Sequence, residues 1–179
     1  DGQVAARTGL EEGGMESIPP AALDPEAITR LGLFQYMIGI TDWSLRRGRS
    51  GGDCCHNGLL LVDQRGFHQI VPYDFDQAGV VNANYALPAK GLGIRTVRQR
   101  VFRGLCTGQD RLDDAVALFL DKRTEIDSAF PLEGRMKSAN KRARRYLGDF
   151  YKQLGDGDAF KNRLAEQCRD NPSLWAVAD

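Results

Sequence analysis

The sequence predicts a mainly α-helical domain carrying one small β-hairpin, an α+β arrangement, and three observations lead there. Apolar residues recur at helical spacing over residues 28–38 and again from Leu112 onward. Two short apolar runs, Gly58–Val62 and His68–Pro72, flank a turn containing Gly66, which is the pattern of a hairpin. With 179 residues the chain has the size of one domain and is long enough to bury a core.

Taken in order, residues 1–24 are rich in Gly, Glu, Pro and Ala without periodicity. They read as a linker or the remnant of an upstream region. Asp24-Pro25-Glu26 is a helix start, with Asp as N-cap and Pro at the first helical position. Ile28, Leu31, Phe34, Met37 and Ile38 then mark a buried helix that Gly39 ends. Residues 44–53 form a polar, Gly-rich loop before the hairpin, whose second strand Pro72 ends or places on an edge. Residues 78–93 read as a long loop. Four helices are expected after it. They cover 94–105 (carrying Arg95, Arg98, Arg100 and Arg103), 111–129, 133–154 with a basic stretch from Lys137 to Arg145, and 158–169. The arginines could receive a phosphate but read rather as solvated or salt-bridged, the basic stretch as a solvated face rather than a nucleic-acid contact, and residues 171–179 as a C-terminal tail.

Lys and Arg balance Asp and Glu at 24 each, so no global field recommends nucleic acid or an anionic membrane as partner. No apolar run is long enough to span a bilayer. The four cysteines, two of them adjacent at 54 and 55, do not read as a disulfide framework. Free thiols in a reducing compartment are expected. With no signal peptide visible, a cytoplasmic protein is expected. P-loop and GxGxxG patterns are absent from the sequence.

The candidate chemistry is concentrated between Thr41 and Gln77. Asp42 lies in a loop after the buried helix, Asn57 at the start of a strand, and Asp74 just beyond the paired strand. A loop Asp can take a proton from a hydroxyl nucleophile. An Asn and an Asp brought together across a hairpin can hold a divalent cation, because hard cations take oxygen ligands. Protein kinases divide phosphoryl transfer in this way. Each residue also has a plainer reading: Asp42 and Asn57 as turn residues, Asp74 and Asp76 as a solvated strand end, His56 as a structural hydrogen-bonding group, Trp43 as a packing anchor.

Three stretches carry a resemblance: Ile-Thr-Asp-Trp-Ser at 40–44, His-Asn at 56–57, and Val-Pro-Tyr-Asp-Phe-Asp-Gln-Ala-Gly at 71–79. Together they resemble the catalytic half of the atypical protein-kinase-like superfamily, the HipA-like and CotH-like branches in particular, over about residues 25–80. The resemblance implies a kinase-like C-terminal lobe over 25–170. It also implies Asp42 as catalytic residue, Asn57, Asp74 and Asp76 as metal ligands, and His56 and Trp43 in supporting roles. Magnesium and ATP are the implied cofactors, and a protein or small-molecule hydroxyl acceptor the implied partner. A kinase needs a strand-rich N-terminal lobe as well, and the residues before Asp42 do not suffice for one. This chain is therefore expected to be the catalytic lobe of a larger phosphotransferase, or a non-catalytic binding module of that fold. A third reading is a metal-dependent hydrolase using Cys54, Cys55, His56 and His68 around a transition metal.

Overall fold

The computed structural model describes residues 2–45, 54–106 and 109–168. A short helix α1 (Gly2–Thr8) and a two-residue strand β1 (Glu11–Glu12) precede the long helix α2 (Pro25–Ile38). The hairpin follows as β2 (Gly58–Val62) and β3 (His68–Pro72). The second half holds α3 (Leu112–Asp121), α4 (Arg123–Ser128), α5 (Lys137–Leu154) and α6 (Asp158–Gln167). Helices thus combine with a three-stranded antiparallel sheet of order β1-β2-β3. Among the described residues no helix is long and apolar enough to cross a membrane. The polar loop at 46–53 and the tail at 171–179 lie outside the described residues.

Helix α2 forms where its caps place it. The Asp24 carboxylate accepts from Ala27 N at 2.9 Å, Pro25 opens the first turn, and Gly39 closes the last in the left-handed region at φ 70°. The helix is apolar on most sides and buried accordingly. Tyr36 packs its ring against Phe102, Phe150 and Phe160, with centroids 5.9–6.3 Å apart. Helix α5 is the amphipathic counterpart: Ala143, Tyr146, Leu147, Phe150, Tyr151 and Leu154 form one buried stripe. Lys137, Lys141, Arg142 and Arg145 lie exposed on the other side.

The hairpin has the expected register, Gly58 opposite Pro72 through Val62 opposite His68. Its turn is tied by Asp63, whose carboxylate accepts from the backbone of Arg65 and Phe67 at 2.9 Å each. Residues 1–24 do more than connect. Strand β1 pairs with β2, Gly13 N donates to Leu60 O, and Ile18 and Leu23 are buried in the core.

Three further expectations are corrected. Residues 94–105 form turns and extended chain in place of a helix. The reason is where their side chains go: Val97, Phe102 and Leu105 are buried, and Arg100 and Arg103 reach inward as well, to distant carbonyls. The span 111–129 breaks at Lys122 into α3 and α4. The cysteines, expected as thiols, are bridged as Cys54–Cys55 and Cys106–Cys168. The second bridge joins the extended segment to the end of α6.

Candidate functional site

Past Gly39 the chain leaves α2 and runs through Ile40 and Thr41 into Asp42. Ser44 then forms an antiparallel bridge to His56, with Ser44 N donating to His56 O at 3.2 Å. That bridge brings the chain before and after residues 46–53 together at Asp42. His56 Nε2 lies 2.9 Å from Asp42 Oδ1. Asn57 Nδ2 donates to Asp42 O at 2.7 Å and to Asp42 Oδ2 at 3.2 Å. The His56 side chain is 10 % exposed and that of Asp42 27 %, so the carboxylate opens to solvent while its histidine partner does not.

Asn57 also connects this pair to the hairpin's far end. Its carbonyl accepts from Tyr73 N at 3.1 Å, which sets Asp74 one residue beyond the contact. Asn57 and Asp74 both have left-handed backbones, at φ 55° and 56°. Non-glycine residues adopt this region seldom, Asn and Asp most readily, and such conformations concentrate at functional sites. Asp74 is exposed. The structure therefore brings Asp42, His56 and Asn57 into direct contact and joins Asp74 to them through the Asn57–Tyr73 backbone bond.

Asp76 has other neighbours. Its carboxylate accepts from Gln77 Nε2 at 3.3 Å and from the Tyr85 hydroxyl. Gln77 in turn accepts from Leu87 N at 2.9 Å. The negative charge of Asp76 is the first cause that raises Tyr85 above the ordinary tyrosine range; desolvation, the hydrogen bond to Asp76 and the charge of Asp74 follow. Tyr85 accordingly stays protonated to higher pH. Replacing Asp76 by asparagine is expected to move the Tyr85 titration back toward its usual value of about 10. Ultraviolet difference titration of tyrosinate against a Tyr85→Phe control measures this, and an unmoved titration would place Asp76 away from Tyr85.

Trp43 is 4 % exposed and is a core anchor, as expected. Phe75, between the two acidic residues, packs edge-on against Phe34 with centroids 5.9 Å apart. These two rings help line an apolar cleft of about 670 Å³ between α2 and helices α3 to α5, on which Met37, Val80, Phe119 and Ile126 also border.

The transition-metal arrangement is corrected. Cys54 and Cys55 are bonded to each other, which removes them as thiolate ligands. His68 lies at the opposite end of the hairpin from Asn57 and approaches Ala22 O at 3.2 Å. Among the described residues, no group of three or more His, Cys, Asp or Glu side chains is placed to hold a metal ion.

Sequence reasoning missed the arginines that brace the site. Arg100 donates to Tyr36 O, Met37 O and Tyr146 O and lies 3.7 Å over the Tyr146 ring. It thereby caps the carbonyl end of α2, where a cation is favoured. Burial pushes its guanidinium below the ordinary arginine range, though it stays charged. Arg103 donates from Nη1 to Thr41 O and to Trp43 O, the latter at 3.1 Å. The signal was present: residues 77–109 contain five basic residues and no acidic one. No carboxylate lies beside them in sequence, and Arg100 finds its acceptors in distant parts of the fold. No family model, curated protein or solved structure matches this chain.

Proposed function

We propose that this chain is the kinase-like catalytic lobe of a phosphotransferase, acting with ATP and magnesium on a hydroxyl acceptor. The observation that carries the reading is the Asp42–Asn57 contact and its continuation to Asp74. Asp42 is held partly open to solvent by His56 and Asn57. In this reading it accepts the proton of the acceptor hydroxyl. Each carboxylate oxygen has a second lone pair, so the two existing bonds leave it able to do so. His56 and Asn57 orient it, and Trp43 anchors the loop.

The oxygen donors suit a hard cation. With Nδ2 committed to Asp42, the Asn57 amide is left with Oδ1 as its ligand atom, and Asp74 offers an exposed carboxylate. Two protein ligands are what magnesium uses when nucleotide phosphates and water complete its shell. Bound there, magnesium would neutralise charge on the phosphates. Asp76, expected as a third ligand, is engaged with Gln77 and Tyr85, so its part here is to set the loop beside Asp74. Tyr73, Tyr85 and Leu87 expose apolar surface along this edge, as a lobe awaiting an N-terminal counterpart would. Cytoplasmic location was expected partly from free thiols, and the bridged cysteines withdraw that support.

A second reading is favoured by one feature. Both oxygens of the Asp42 carboxylate are already hydrogen-bonded within the chain, as suits a binding module of the same fold without turnover. Calorimetric titration of the full-length protein with ATP, with and without magnesium, tests the common part. Binding that needs magnesium and weakens at least tenfold in Asp74→Ala is expected. Equal binding by wild type and variant would make Asp74 a strand end and remove the proposal. Binding without phosphoryl transfer would select the module.

A further inference from the structure

We propose that Arg103 is the positioning residue of the Asp42 loop, helping to set the direction of the carboxylate by holding the carbonyls of the two residues that flank it. Three consecutive carbonyls are each held. Arg103 Nη1 donates to Thr41 O and Trp43 O, and Asn57 Nδ2 donates to Asp42 O. Arg103 holds the outer two of these carbonyls and Asn57 the one between them. With the carbonyls at 41, 42 and 43 all fixed, both backbone dihedrals of Asp42 are fixed, and with them its Cα–Cβ direction. His56 and Asn57 then select the side-chain rotamer.

The clamp is itself braced. The Arg103 guanidinium carbon lies 5.9 Å from the Trp43 ring centroid, on the loop it holds. On its own segment, Phe102 N donates to Gln167 Oε1 at 2.9 Å, and Cys106 is bonded to Cys168. Helix α6 thus anchors the segment that carries Arg103. Arginine suits the task because its guanidinium stays charged and its donors are arranged in a rigid plane. A lysine ammonium on a flexible stem would hold the two carbonyls less firmly.

The kinetic part of the test rests on the reading of Asp42 as the base; the spectroscopic part does not. The chain has two histidines, so the imidazole region of a nitrogen-edited proton spectrum contains two sets of signals, and His68→Gln assigns them. Wild type should show a protected His56 Nε2–H from its bond to Asp42, lost in Asp42→Ala. In Arg103→Met this proton should exchange at least tenfold faster, while Arg103→Lys restores part of the protection. If the protein transfers phosphoryl groups, Arg103→Met should lower kcat about 10–100-fold with KM for magnesium-ATP unchanged, as misplacement of a catalytic group does. If it transfers none, the imidazole signal still decides. A folded Arg103→Met with an unchanged His56 signal would overturn the assignment. Should that variant not fold, Arg103→Gln is measured in its place. If neither gives the native circular dichroism, Arg103 is a stability residue and the proposal fails.

Discussion

Replacing Asp42 by asparagine is expected to lower the rate of phosphoryl transfer by the full-length protein about 10²–10⁴-fold, the range for loss of a positioned general base. Asparagine keeps the shape, can still accept the His56 bond through its oxygen and keeps the Asn57 bond to its main-chain carbonyl, so the loop should stay in place although the Asn57 bond to the side chain is lost. What it removes is the basic lone pair and the negative charge. KM for magnesium-ATP should change little, because in this account Asp42 meets the acceptor and Asn57 with Asp74 meets the nucleotide. Initial rates against both substrates separate the two effects. A loss below tenfold would mean that Asp42 is a loop-capping residue after all. A large rise in KM for nucleotide would move it into the cation site.

The second large effect concerns stability. Cys106 and Cys168 are separated by 62 residues, and closing a loop of that length restricts the unfolded chain by about 4 kcal/mol in the chain-entropy account. The Cys106→Ser/Cys168→Ser variant should therefore melt roughly 8–16 °C lower, at about 2–4 °C per kcal/mol for a domain of this size. Cys54–Cys55 joins neighbours and closes almost no loop, so Cys54→Ser/Cys55→Ser should melt within a few degrees of wild type. Reductant should move wild type to the melting temperature of the Cys106/Cys168 variant. Scanning calorimetry of the three proteins measures this. A wild type indifferent to reductant would show that the long bridge contributes nothing.

What could be read from the sequence was what local residues determine. Asp24-Pro25 and Gly39 bound α2 because a cap and a left-handed stop act within a few residues. The hairpin was legible from its two apolar runs and Gly66, and α5 from one unbroken apolar stripe. Elements set by distant partners were not legible. Strand β1 is two glutamates long and exists because β2 offers it an edge. The Cys106–Cys168 pair needs α6 to return to the 102–106 segment. Arg100 and Arg103 looked like a helix surface because their acceptors, the carbonyls of α2, α5 and the Asp42 loop, lie 46–64 positions away.

The candidate site divides in the same way. Residue type and order pointed to Asp42, Asn57 and Asp74, and the structure places the first two in contact. His56 proved to be the direct partner of Asp42, a pairing that needs the Ser44–His56 bridge to bring the two together. Asp76 was grouped with the cation ligands because the resemblance gives its place to an acidic residue that follows the metal-binding Asp. Its contacts with Gln77 and Tyr85 follow from the path of the loop after Phe75.

The central claim is that Asn57 and Asp74 form one cation site at the edge of which Asp42 stands. Manganese is the direct probe, because it takes the same oxygen ligands as magnesium and broadens nearby nuclear resonances through its unpaired electrons. Sub-stoichiometric manganese added with ATP to the isotope-labelled protein should first erase the amide signals of Asn57, Gly58, Tyr73 and Asp74, with Asp42 and His56 close behind. The same addition to Asp74→Ala should leave those signals intact at equal concentration. Broadening centred on another acidic group, such as Asp63 at the opposite end of the hairpin, with the Asn57 and Asp74 signals unchanged, would contradict the account.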